Sequence, residues 1–185
     1  MSWIQTYTGR KFFPLDPSHQ DVCIDDIAHA LALKCRYTGH CREFYSVAQH
    51  SVFVSRMVPQ ADALWGLLHD AAEAYLPDVA RPTKDSVHVR RAKGYVPFGR
   101  AEGSILVAVA CAFGMQLEMP LSIKVADVRL LERERRQLLG PPPEEWSTAE
   151  MWDGDARPIH CWTWLAAKRR FLRRFRELTE GAERG

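Results

Sequence analysis

Apolar residues recur at helical spacing along most of the chain, and capping residues divide them into separate segments. Ile27, Ala30 and Leu31 form a first apolar face with Lys34 beside it, behind Asp25 or Asp26 as a cap, and this run ends before the loop containing Gly39. Ser46 suits the cap of a second helix with Val47, Phe53, Val54 and Met57 apolar and His50 in its middle. Pro59 stops that helix and starts another, predicted from about Gln60 to Tyr75, which carries Ala63, Leu64, Leu67 and Leu68 ahead of His69 and Asp70 and closes at Pro77. Later segments run from Ala101 to Phe113 with Gly114 as the C-terminal stop, and from Pro120, at the first helical position, to Leu139 before Gly140 and Pro141 to Pro143. A last helix spans Pro158 to Leu178, with Leu165, Leu172, Phe175 and Leu178 on one side.

Two stretches break this rhythm. Residues 1–22, with Thr6, Tyr7, Thr8, Gly9 and Arg10 ahead of Pro14 and Pro17, favour a short extended segment or hairpin. Lys84 to Arg100 mixes Gly, Pro and basic residues, which predicts an irregular exposed connection able to move over a site. No run of alternating strands is expected after the first twenty residues. The predicted fold class is therefore all-α: a single domain over residues 1–185, built from about five to seven helices, with a basic C-terminal helix at 158–180.

Length and composition narrow the picture without naming a chemistry. At 185 residues and 46% apolar the chain can bury one core, and a net charge of +2 does not select nucleic acid or a membrane surface as partner. No segment approaches the roughly 18 consecutive apolar residues of a spanning helix, and no apolar leader opens the chain, so a cytoplasmic protein without membrane contact is expected. Cys23, Cys35, Cys41, Cys111 and Cys161 are odd in number and lack a C-x-x-C pair, and are read as reduced thiols.

Candidate chemistry concentrates in His69-Asp70-Ala71-Ala72-Glu73, followed by Asp78, Pro82 and Lys84. Imidazole and carboxylate both ligate divalent metals, and on a helix adjacent positions lie about 100° apart, so His69 and Asp70 can straddle one ion. Glu73, four and three residues further on, faces the same region. A lone His-Asp doublet is as well explained by a hydrogen-bonded core histidine. His50 on the preceding helix and Asp127 on a later one, each set among apolar neighbours, change the balance: polar groups directed into a core need a partner, and a shared metal satisfies both.

The order His50, His69-Asp70, Asp127 resembles the HD-domain metal-dependent phosphohydrolase superfamily. Ser46-Val47-Ala48-Gln49-His50-Ser51, the His69 to Glu73 run and Asp78 resemble its bacterial 5′-deoxynucleotidase subgroup and phage relatives, which include dATP triphosphohydrolases. Trp3 to Arg10 and Asp26 to Leu31 look like the prophage-borne branch, and the resemblance reaches to about Leu131. It implies a helical HD-type domain with one divalent ion (Mn, Co, Fe, Zn or Mg) on His50, His69, Asp70 and Asp127. Glu73 and Asp78 are then the catalytic carboxylates that activate or orient water, and Arg36 grips phosphate, with Tyr37 where the family more often has Trp. Lys84 adds a second charge for phosphate from the loop. The implied substrate is a small nucleotide, cleaved to release phosphate from a deoxynucleoside monophosphate or the polyphosphate chain of a triphosphate. Arg81, Lys84, Arg90, Arg91 and Lys93 are the cations available for a longer phosphate chain. A homo-oligomer is implied by the resemblance and by the tryptophan-rich tail.

Other signals are weaker. Cys35, His40, Cys41 and His50 do not match a zinc-knuckle spacing; His29 reads as a core histidine and His40 as a loop or capping group. Trp146, Trp152, Trp162 and Trp164 read as packing or subunit-contact residues. The run from Lys168 to Arg176 reads as a solvated basic face, which makes nucleic acid an unexpected partner. Hydrolysis of a signalling nucleotide and a nucleic-acid-binding module built on that helix are the competing functions.

Overall fold

The computed structural model describes residues 2–91 and 94–180. Among them are seven α-helices and two small antiparallel hairpins, a mainly helical fold. The N-terminal hairpin pairs β1 (Ile4–Gln5) with β2 (Lys11–Phe12), and Gly9 turns it at a φ of 82°. Buried Asp26 holds this turn through the Thr8 amide at 2.7 Å and the Thr8 hydroxyl at 3.0 Å. Asp26 therefore lies inside α1 (Ile24–Leu33) and not at its cap, which is Cys23.

The next helices follow the sequence reading more closely, with one informative break. Ser46 caps α2 (Val47–Met57) by accepting from the Gln49 amide. The helix expected from Gln60 to Tyr75 is interrupted: a 3-10 turn at Gln60–Asp62 leads into α3 (Ala63–Leu68), and a second 3-10 turn covers Ala71–Ala74. No Pro or Gly sits at this break. Tertiary contacts impose it, because the Lys34 ammonium reaches across to the carbonyls of Glu73 and Leu76 and ties the tight turn to the end of α1. α3 lies very close to α2 at Gly66, where a Cβ would come within 2.8 Å of the Ser55 Cα.

Where it is described, the stretch expected to be irregular carries regular elements. α4 (Arg81–Lys84) is followed by β3 (His88–Arg91) and β4 (Gly94–Pro97), paired in antiparallel register with Arg90 opposite Tyr95. Its alternation was hidden by arginines: His88 and Arg90 face out while Val89, Arg91 and Val96 turn inward. Lys93 lies outside the described residues. α5 (Phe98–Ala112) ends before Gly114, which takes a φ of 63°, and α6 (Leu121–Leu138) is capped by Pro120. α7 (Trp164–Glu180) begins six residues later than predicted because the non-helical segment before it is pinned by buried Gln49, which donates to the His160 carbonyl and accepts from the Trp162 amide, each at 2.8 Å.

The main core joins α1, α2, α3, α5 and α7 through residues such as Ile27, Leu31, Val52, Leu68, Ile105 and Phe171. A second cluster, with Trp65, Ile123, Ala126 and Leu130, fixes α6 against α2 and α3. Leu165, predicted on the buried side of α7, is exposed; Leu172, Phe175 and Leu178 pack inward. Arg169, Arg170, Arg173 and Arg176 form the outer face, while Arg174 turns back to Ser55 at the end of α2. None of the described helices is long and apolar enough to cross a membrane.

Candidate metal centre

α2, the end of α3 and the middle of α6 deliver His50, His69 and Asp127 to one point, where one donor atom from each lies within 4.8 Å of the others. His50 Nε2 stands 3.3 Å from His69 Nε2 and 3.1 Å from Asp127 Oδ1. Asp70 adds Oδ2 at 3.3 Å from His69 Nε2 and 3.8 Å from His50 Nε2. His69 and Asp70 occupy the break after α3, so their convergence comes from a helix end and not from neighbouring positions of one continuous helix.

Both imidazoles are oriented from behind. His69 Nδ1 donates to the Gly66 carbonyl at 2.8 Å, since a carbonyl only accepts, and this turns Nε2 toward the cluster. The close approach at Gly66 thus sets both the helix spacing and the ring. His50 Nδ1 lies 2.7 Å from Glu134 Oε1. Glu134 is fully buried and also accepts from Tyr45 OH at 2.7 Å, Tyr37 OH at 3.0 Å and Arg36 Nε at 3.0 Å. This carboxylate behind a ligating-type histidine is the arrangement that fixes ring orientation and raises basicity in metal sites.

The electrostatics point to a place for positive charge. Burial and the Arg36 charge push the His50 imidazolium down, but Glu134 and Asp127 outweigh them and raise it to about 9, so a proton holds the place between two carboxylates. Burial opposes the Asp127 charge, yet His50, His69 and Arg36 keep that carboxyl well below its usual range. Burial, Asp70 and Asp78 push Glu73 up to about 8, and its Oε2 is buried without a hydrogen-bond partner. Two imidazole nitrogens and several carboxylates around one point form a donor set suited to a divalent cation, which would relieve this crowding of negative charge.

The other predicted residues divide. Arg36 is no surface charge: it is held between Glu134 and Asp70, with Nη1 3.6 Å from the Asp70 carboxylate. Asp78 is exposed and close enough to influence Glu73 and Lys34. Lys84 pairs with Glu102 of α5 at 2.8 Å, and among the described contacts it does not reach the cluster. Arg91 turns to Ser104, and Arg90 stands on the exposed face of the hairpin. Of the zinc-knuckle candidates, His40 is exposed in its loop, and the group of ligand-type side chains found among the described residues contains His50 but neither Cys35 nor Cys41. His29 is half-buried, stacked 3.8 Å from Tyr7.

No protein-family model matches the chain. The uncharacterized protein YfdR of Escherichia coli K12 is 38% identical over 138 residues, covering 75% of this chain and 73% of YfdR. The uncharacterized protein RCAP_rcc00048 of Rhodobacter capsulatus is 34% identical over 152 residues, covering 75% of this chain and 74% of its own length. The chain belongs to the YfdR family. In this member of the YfdR family, sequence reading missed two residues behind the site, Glu134 and Lys34. Glu134 had a signal: it lies seven residues, two helical turns, after Asp127 and so shares its face of α6. Lys34 had none, because its partners are backbone carbonyls 39 and 42 residues away.

Proposed function

We propose that the protein is a metal-dependent phosphohydrolase of nucleotides, of the HD type. One divalent ion is held by His50, His69, Asp70 and Asp127. The convergence of those side chains on one point carries this reading. A divalent ion there supplies Lewis acidity toward a phosphoryl oxygen and lowers the pKa of bound water.

The chain's own residues supply the rest. Glu73, buried beside Asp70 with one oxygen unpartnered, keeps its proton up to about pH 8 in the metal-free protein; positive charge from a divalent ion beside it would favour the carboxylate, the form that accepts a proton from an attacking water. Arg36 keeps its charge although buried, because Glu134, Asp70 and Asp127 outweigh the cost of desolvation, and its Nη edge beside Asp70 offers charge-assisted contacts to a phosphate. Asp78, exposed and close enough to raise the Glu73 pKa, is the second carboxylate of this reading. The substrate class is a deoxynucleoside monophosphate or triphosphate.

The test is phosphate, pyrophosphate and triphosphate release from a panel of ribo- and deoxynucleotides with Mn, Co or Mg, alongside metal analysis of wild type and Asp70→Ala. One bound ion per chain and turnover that falls to background in the variant are expected. Folded, metal-loaded protein that releases no phosphate from any nucleotide overturns the proposal.

A further inference from the structure

A cavity lined by apolar surface and arginine side chains, away from the metal centre, opens at the C-terminal end of α6. It encloses about 500 Å³ between the last two turns of α6, the Pro141-Pro142 turn, the stretch around Trp152 to Ala156, and Arg42 from the loop after Tyr37. Four arginines line it, Arg42, Arg133, Arg135 and Arg136, against two carboxylates, Glu145 and Asp155.

Those charges are not equally committed. Arg133 spends its guanidinium on Asp155 and on the Arg157 carbonyl, at distances of 2.7 to 3.0 Å. Asp155 is further occupied by Arg157. Arg135 is held by Glu132 at 2.9 Å and lies 3.4 Å from Glu145. Arg136 is different: its guanidinium lies 4.2 Å from the centre of the Trp152 ring, with only Nε near a carboxylate, 3.7 Å from Glu132. Arg42 is exposed and has no ion pair among the described residues. Two cations with free donor edges therefore face a cavity that their acidic neighbours do not neutralise.

The walls are fixed before any ligand arrives. Gln137 joins Arg133 in pinning the 155–159 stretch, donating to the Arg157 carbonyl at 2.9 Å and accepting from the Ile159 amide at 2.8 Å. Two of the four terminal carbonyls of α6 are satisfied, that of Arg135 by the Leu139 amide and that of Leu138 by the Arg42 amide, which reduces the negative potential an anion meets at this helix end. Leu139, Pro141, Pro142 and Trp152 supply an apolar and aromatic side, and the volume lies within the range of small-molecule pockets.

We propose that this cavity binds a small phosphate monoester with a planar organic body, of the nucleoside monophosphate class. Arg42 and Arg136 take the phosphate, and the Trp152 side takes the ring. Guanidinium forks match phosphate geometry, and a cavity of this size exceeds what inorganic phosphate fills. The site is independent of the chemistry at the metal centre, so it stands or falls separately.

Calorimetric titration of the full chain, chelator-treated so that nothing is turned over, tests it with deoxyadenosine monophosphate, inorganic phosphate and adenosine as probes. The monophosphate is expected to bind, with inorganic phosphate at least tenfold weaker and adenosine without measurable binding. Arg136→Glu and Arg42→Glu are each expected to weaken monophosphate binding at least tenfold, with Arg136→Gln intermediate and circular dichroism unchanged in all three. Monophosphate affinity untouched by these substitutions places the binding at the metal centre and overturns the proposal. No binding at millimolar concentration in low salt overturns it, and equal affinity for inorganic phosphate overturns the monoester assignment.

Discussion

Glu132 and Glu134 stand two residues apart on α6, both fully buried, and they serve different ends. Glu132 is closed on itself: Arg135 donates to Oε2 through two nitrogens at 2.9 and 3.2 Å, the Thr148 hydroxyl covers Oε1, and Arg136 stands behind. Glu134 is just as well satisfied, by four donors, but one of them is His50, whose other nitrogen faces Asp127, Asp70 and His69. Beyond Glu134, acids accumulate faster than cations, and Glu73 is left with an unpartnered oxygen and a raised pKa. A buried carboxylate in a balanced network is architecture. One that backs a histidine into a surplus of acids marks where a cation belongs.

Exchanging the charges on the two sides of α6 separates these roles most sharply. Asp127→Asn is expected to abolish stoichiometric metal binding by plasma mass spectrometry while the chain stays folded. Glu132→Ala leaves the nearly fully buried Arg135 without its main partner and is expected to cost about 3–5 kcal/mol of stability in denaturant unfolding, with metal stoichiometry retained in the folded fraction. Full metal occupancy in Asp127→Asn, or metal loss in folded Glu132→Ala, erases the distinction.

The next effect lies between these extremes. Glu134→Gln keeps the shape behind His50 but removes the charge that orients and enriches it, and the metal dissociation constant is expected to rise about 10- to 100-fold. Proton release on metal binding sharpens this. His50 carries a proton up to about pH 9 in the metal-free protein and must lose it to ligate, so wild-type affinity climbs as pH rises toward that value. In Glu134→Gln the His50 proton is held less tightly, and the pH dependence moves down. Calorimetry in buffers of different ionisation enthalpy counts the protons; an unchanged pH profile in the variant detaches Glu134 from the site.

How much of this was legible depended on whether the decisive contact was local. The apolar periodicity places α2, α5 and α6 near their observed limits, and Ser46 and Gly114 act at the helix ends as their chemistry dictates. His50 and Asp127 were legible because polar residues in apolar helical settings need partners, and His69 through its doublet with Asp70. The break after α3 was not, since it is imposed by Lys34 from another helix. The late start of α7 depends likewise on Gln49, more than a hundred residues away in sequence. The β3–β4 hairpin escaped for a different reason: a single inward valine on each strand, Val89 and Val96, gives too short an alternation against flanking arginines.

The smallest expected effect concerns Glu73, the acid on the unbalanced side that Glu132 has no counterpart for. Its carboxyl is raised from 4.5 to about 8 by burial first and by Asp70 and Asp78 second. A raised folded-state pKa means that the native chain binds more protons than the unfolded chain between those values, so stability falls as pH climbs from about 4.5 through about 8. Glu73→Gln removes that dependence. In chelator-treated protein the variant is expected to gain on wild type as pH rises, by about 1–3 kcal/mol once the carboxylate is fully ionised, read from denaturant midpoints at several pH values. Added divalent metal supplies positive charge beside Glu73 and is expected to narrow the gap at high pH. A gap that stays constant across pH would place Glu73 outside the crowded cluster, and one that ignores metal would separate its burial from the cation site.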